Sequence, residues 1–263
     1  MLKSQPRMEV PRANVLGVGI SVIDQERARE ILFKAVRRGD RGYVAVTGVH
    51  GVMEAQSDPG LMRILNEALL TTPDGMPMVW MGRAQGKAAI RRVYGPDLML
   101  NLCEHSPAAG FTHFFYGGNP GVADELAEKL MARFPGLRVV GTFTPPFRRL
   151  NDEEVRELQR RVRETRPDFL WVGLSTPKQE KFMAEFMPVL PEAKVMIGVG
   201  AAFDLLTGRV KQAPPWMQRN GLEWLYRWVQ EPARLTRRYF VNNPRFVLKA
   251  GAQLLRPKSY PIR

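Results

Sequence analysis

A repeated alternation limits what this chain can fold into. Short β-branched or aromatic runs recur, and longer amphipathic stretches separate them. The runs are GYVAVTGV (residues 42–49), LLTTPDG (69–75), THFFYGG (112–118), LRVVGTF (137–143), DFLWVGL (168–174) and AKVMIGVG (193–200). Between them lie helical patterns at residues 122–134, 152–164 and 179–189, with an earlier one opening at Asp24 and carrying Ala28, Ile31, Leu32 and Ala35 on one face. A further apolar run, residues 15–23, reads as a strand or hairpin, and residues 50–68 as helix interrupted near Asp58-Pro59-Gly60. Apolar strands alternating with amphipathic helices build βαβ units. The predicted fold is therefore α/β, a Rossmann-like, mostly parallel sheet flanked by helices.

Glycines cluster where these runs end: Thr47-Gly48, Gly117-Gly118, Gly173 and Gly198-Val199-Gly200. Glycine lets backbone N–H groups approach a phosphate, and a helix N-terminus behind the turn favours negative charge. No turn completes the three-glycine dinucleotide fingerprint, so a nicotinamide oxidoreductase is disfavoured and a mononucleotide pocket is the better fit. Asp74, in Thr72-Pro73-Asp74-Gly75, is either an ordinary turn residue or a carboxylate that accepts a proton from an attacking hydroxyl. Gln179, just behind Pro177-Lys178, is either part of an ordinary helix start or an amide facing sugar hydroxyls. Arg91 and Arg92 precede Tyr94-Gly95-Pro96-Asp97 and are candidates to stabilise a leaving diphosphate. His50, His105 and His113 show no ligand spacing and no Asp-x-Asp pair is present, so neither metal nor cofactor is expected.

The charge is concentrated at one end. From Arg209 onward twelve basic residues face only Glu223 and Glu231, so that segment carries +10 of the chain's +13. The sequence predicts a catalytic core over residues 1–208 and a helical, basic appendage over 209–263, with a hinge at Ala213-Pro214-Pro215 and a helix break at Pro232. The appendage interleaves Trp224, Tyr226 and Trp228 with Arg227, Arg234, Arg237 and Arg238, which suits an anionic lipid surface. In this reading Leu222, Leu225, Tyr226 and Val229 pack on the core while Trp224 and Trp228 occupy another stripe. Residues 1–13 read as a polar leader without a signal-peptide core, and no stretch is long enough to span a bilayer. Membrane contact is expected to be peripheral. The single cysteine, Cys103, excludes an internal disulfide, fits a reducing compartment and reads as a buried apolar residue.

Together the motifs resemble the WecG/TagA/CpsF glycosyltransferases, a family that includes N-acetylmannosaminyltransferases of cell-wall and common-antigen polymers. The resemblance runs from about Val15 to Phe246. It is carried by Pro73-Asp74-Gly75, residues 92–98 (RVYGPDL), Phe115-Tyr116-Gly117-Gly118, Pro177-Lys178-Gln179-Glu180, residues 198–204 (GVGAAFD) and residues 221–227 (GLEWLYR). It implies a metal-independent, inverting transfer of a sugar from a UDP donor to an undecaprenyl-diphosphate-linked acceptor at the cytoplasmic face of the membrane. It also implies Asp74 as general base, substrate contacts from Arg92 and Gln179, and closure of Arg227, Arg234 and Arg237 over the diphosphate. Gly117, Gly118 and Asp204 lie in the matched motifs and are expected as further substrate contacts. Where the family often has Thr-x-Asn, this chain has Val46-Thr47-Gly48, so donor contacts there fall to Thr47 and His50. The rival reading is a basic nucleic-acid-binding protein. Against it, the charge sits in the appendage while the core is organised around strand-end turns, so the partners expected are a UDP-sugar, a lipid-linked acceptor and an anionic membrane, with no nucleic acid. A homo-oligomer is left open.

Overall fold

The structure, a computed structural model, describes residues 10–262. Six strands form one parallel sheet in the order β4-β3-β8-β7-β5-β6. They are β3 (Gly42–Thr47), β4 (Leu70–Pro73), β5 (Thr112–Gly117), β6 (Arg138–Phe143), β7 (Phe169–Gly173) and β8 (Val195–Gly198). The period of two along each strand sorts its side chains onto two faces. On β3, Tyr43 and Ala45 join one buried cluster, whereas Val44 and Val46 join the other.

The first cluster is covered by α2 (Val49–Ala55), α3 (Pro59–Glu67), α4 (Met76–Ala84), α7 (Asp152–Thr165) and α8 (Lys178–Phe186). The second is covered by α1 (Gln25–Arg38), α5 (Gly95–Ala109), α6 (Val122–Arg133) and α9 (Ala202–Thr207). This is the three-layer α/β arrangement that the sequence predicts. Local signals set the helix starts. Asp24 caps α1 through the N–H of Arg27 at 2.8 Å, and Asn151 and Glu154 form a capping box on α7.

The leader expectation is corrected in part. Residues 1–9 lie outside the described residues, but Arg12 and Ala13 belong to β1 (Arg12–Val15), which pairs antiparallel with β2 (Val18–Ser21). Strand formation wins because Ala13 and Val15 bury completely. Cys103 is buried, as expected.

Beyond Gly208 the chain forms α10 (Pro215–Arg219), α11 (Glu223–Gln230) and α12 (Pro232–Leu255), with Pro232 opening the long helix. α12 lies against α2 and buries Phe246 and Ala250 in the first cluster. Burying a phenylalanine contributes about 1.5–3 kcal/mol. Gln253, 4% exposed, accepts from the Leu16 N–H at 2.9 Å and donates to the Asn14 carbonyl at 3.0 Å. The second half of α12 therefore shares the main core, while α10, α11 and the start of α12 overhang the strand ends.

The stripe assignment in this overhang is also corrected. Val229 is 68% exposed and does not pack on the core. Trp224 instead meets the rings of Tyr239 and Phe240, and Trp228 meets Phe240, so these tryptophans join α11 to α12.

Candidate active site at the strand ends

In parallel α/β sheets, ligands bind outside the carboxyl ends of the strands. Here a cleft of about 1360 Å³ opens there, walled by the turns after β3, β4, β5, β7 and β8, by residues 145–150 after β6, and by the overhanging helices. The first residues of α4, α5 and α8 border it, which favours an anionic ligand.

Asp74 stands on this wall, partly exposed, between β4 and α4. Two glycines place it. Gly75 takes φ 94°, a conformation that L side chains resist. A Cβ on Gly48 would lie 2.7 Å from the Asp74 carbonyl oxygen, so only glycine lets the β3 turn press so closely. The same turn is fastened by the Asp74 N–H, which donates to the Thr47 carbonyl at 3.1 Å.

Arg92 is on the wall as well, bound mainly to the appendage. It donates to Gln218 Oε1 at 2.8 Å, forms an ion pair with Glu223, and lies over the Tyr94 ring at 4.1 Å. Tyr94 is buried. That burial first, then the carboxylates of Glu223 and Asp74, push its ionisation far above the usual phenol range, so it remains neutral. Asp74, Tyr94, Arg92 and Glu223 thus form one electrostatic neighbourhood joining core to overhang.

Also on the wall, Glu231 holds two arginines. Arg234 Nη2 is 2.6 Å and Arg227 Nη2 3.6 Å from its carboxylate, and the Arg234 hydrogen bond first of all holds the Glu231 carboxyl below its ordinary range. Asp204 borders the same region. Burial raises its pKa, with Arg209 the strongest opposing influence and Glu231 adding to the rise.

Not every expected site residue reaches the cleft. His50, Arg92, Gly118, Gln179, Asp204, Arg227 and Arg234 border it. Thr47 does not: it is 2% exposed, and its hydroxyl has no hydrogen-bond partner among the described residues. Gly117 is held behind the wall, where a Cβ would sit 2.5 Å from the Gly173 carbonyl oxygen. Arg237 is exposed and lies off the wall. Gln179 is 2% exposed and its amide is engaged internally, accepting from the Gly200 N–H at 2.8 Å and donating to Glu180 at 2.9 Å. In this arrangement it positions the β8 turn. His50 approaches Glu54 at 3.5 Å and Asn242 of α12 at 3.3 Å. Among the described residues no three His, Cys, Asp or Glu side chains gather as a metal-holding group.

A parallel sheet with a charged cleft at its carboxyl ends, overhung by a basic segment, has the architecture of the α/β proteins that bind ligands at their strand ends. The model of the glycosyl transferase WecG/TagA/CpsF family matches residues 13–260, and the chain belongs to that family. It is a glycosyltransferase. The chain is 32% identical over 194 residues to the N-acetylglucosaminyldiphosphoundecaprenol N-acetyl-beta-D-mannosaminyltransferase of Bacillus spizizenii, a match covering 74% of this chain and 72% of that one.

Proposed function

We propose that this enzyme moves N-acetylmannosamine from a UDP donor to N-acetylglucosamine on undecaprenyl diphosphate, with inversion and without a metal, at the cytoplasmic face of the membrane. The observation that carries the proposal is Asp74, a carboxylate fixed at a strand end in the cleft that also holds Arg92, Arg227 and Arg234. The name of the Bacillus spizizenii relative supports the choice of sugar and acceptor.

In this reading the Asp74 carboxylate accepts the proton of the acceptor hydroxyl. The freed oxygen attacks the anomeric carbon from the face opposite the UDP, and UDP leaves with the bonding electron pair. Guanidinium forks match phosphate oxygens, so Arg227 and Arg234 would leave Glu231 for the leaving diphosphate. His50 and Asp204 border the space for the sugar, and Gln179 holds Gly200 for the donor.

No helix among the described residues is long and apolar enough to cross a membrane. Peripheral attachment is supported by Leu248 and Leu255, 75% and 86% exposed on α12, with Arg245, Lys249 and Arg256 on the same helix or beside it. The experiment is transfer of labelled sugar from UDP-N-acetylmannosamine to the lipid-linked acceptor in anionic vesicles, with and without EDTA. Transfer that survives EDTA is the expected result. Transfer abolished by EDTA and restored by Mg²⁺ would refute the metal-independent mechanism.

A further inference from the structure

The cleft is larger than one sugar nucleotide needs. Its volume of about 1360 Å³ exceeds the roughly 300–1,000 Å³ usual for a single small-molecule site. The polar groups occupy only part of it. Away from Asp74, Arg92, Arg227 and Arg234, the wall carries an apolar arm with a floor of stacked, largely buried rings. Lys178 also borders it, as do Lys181, Arg148 and Arg149, which are paired with Asp58, Glu154 and Glu185. Tyr116 and Phe182 lie 4.3 Å apart at their centroids, and Phe182 and Phe186 4.4 Å. All three rings border the cavity.

The sides of this arm come from two elements. The 145–150 segment contributes Phe147, 87% exposed yet on the cavity wall. α12 contributes Val247 and Leu254, 67% and 45% exposed, which lie seven residues apart and so share one stripe of the helix. Leu248 and Leu255 form the neighbouring stripe and do not border the cavity. The exposed apolar residues of α12 are therefore divided between an outward stripe and one that faces the concave arm.

We propose that this arm, between α8, α12 and the 145–150 segment, binds the first isoprene units of the acceptor's polyprenyl chain. The inference rests on the glycosyl-transfer reading and adds a subsite to it. The acceptor is tripartite. If its sugar meets Asp74 while the arginines hold the UDP, its diphosphate and hydrocarbon must leave the cleft along another wall. The arm is the apolar wall continuous with that site, and its aromatic floor suits flat, methyl-branched alkene units, which gain by leaving water.

Gly251 supplies the test. It borders the arm, and a Cβ there meets nothing within 4 Å. It sits in α12, and φ is not positive there, so a larger residue is tolerated by the backbone. Soluble N-acetylglucosaminyl diphosphates carrying one, two or three isoprene units, below their critical micelle concentrations, provide the acceptor series. For the wild-type enzyme, kcat/KM is expected to rise at least about tenfold from one unit to three, equivalent to about 1.4 kcal/mol. Gly251→Phe fills the arm and should reduce that rise to less than about twofold, with urea midpoints confirming that the variant is folded. A flat wild-type series would overturn the subsite, as would an unchanged chain-length ratio in Gly251→Phe, while leaving glycosyl transfer intact. Absence of transfer to every acceptor would instead overturn the transfer reading, and the subsite with it.

Discussion

Replacing Glu223 by Gln isolates the fastening between the overhang and the core. Arg92 and Glu223 are only 14% and 19% exposed, so solvent and salt screen their attraction weakly. Two unit charges about 4 Å apart attract by about 4 kcal/mol at an effective dielectric constant near 20. Desolvation and side-chain ordering cancel much of this, and Gln keeps one hydrogen bond to the guanidinium. Arg92 also retains Gln218 and the Tyr94 ring. The net loss should be about 1–2 kcal/mol, felt where α10 and α11 meet the core. That corresponds to a rise of about five- to thirtyfold in the population of opened overhang. Hydrogen exchange read by mass spectrometry should show α11 amides exchanging faster by that factor, with β3 and β8 unaffected. Unchanged α11 exchange would refute the fastening. So would uniform acceleration across the protein, because it would mean that the pair stabilises the whole fold.

Three further perturbations follow from the geometry. Gly48→Ala places a Cβ 2.7 Å from the Asp74 carbonyl oxygen, so the β4 turn must move. Transfer should fall more than about tenfold with a stability loss of about 1–3 kcal/mol, and wild-type kcat would contradict the role given to that contact. His113 is buried, which lowers its pKa to about 3 against the opposing influence of Asp168. Below pH 6.5 the unfolded chain gains a proton that the folded chain refuses, so this contribution is complete above 6.5 and is lost as pH falls toward 3. About 2 kcal/mol should be gone by pH 5, and His113→Gln should flatten that part of the urea-midpoint difference between pH 7 and 5; an equal difference in the variant would refute it. Finally, Leu248→Glu with Leu255→Glu should weaken binding to anionic vesicles at least about tenfold, and unaltered binding would show that the outward stripe of α12 does not enter the bilayer.

The layers of the fold were legible because each strand is a compact β-branched or aromatic run and each helix carries its own periodicity. Strand order was not legible: β8 pairs with β3 through contacts about 150 residues apart, as in Tyr43 opposite Met196, and no local pattern encodes that choice. The resemblance singled out Asp74, and the structure adds the reason for its placement in Gly48 and Gly75. Thr47 and Gly117 were expected as substrate contacts from the resemblance, but each is the last residue of its strand, β3 and β5, and is buried. Glu231 was counted only as a counter-charge to the basic tail. Its spacing from Arg227 and Arg234, four and three residues on a helical path, was a signal that it holds both. Glu223 offered no such clue, since Arg92 is 131 residues away in sequence.

The most direct test of the account is the rate of Asp74→Asn. The substitution keeps the shape of the side chain and removes the proton acceptor. Transfer from UDP-N-acetylmannosamine to the lipid-linked acceptor should fall by roughly 10²–10⁴ while UDP binding, followed by calorimetry, and the urea midpoint stay near wild type. A variant that keeps more than about a tenth of wild-type turnover would contradict the assignment of Asp74 as the base, and with it the mechanism proposed for this cleft.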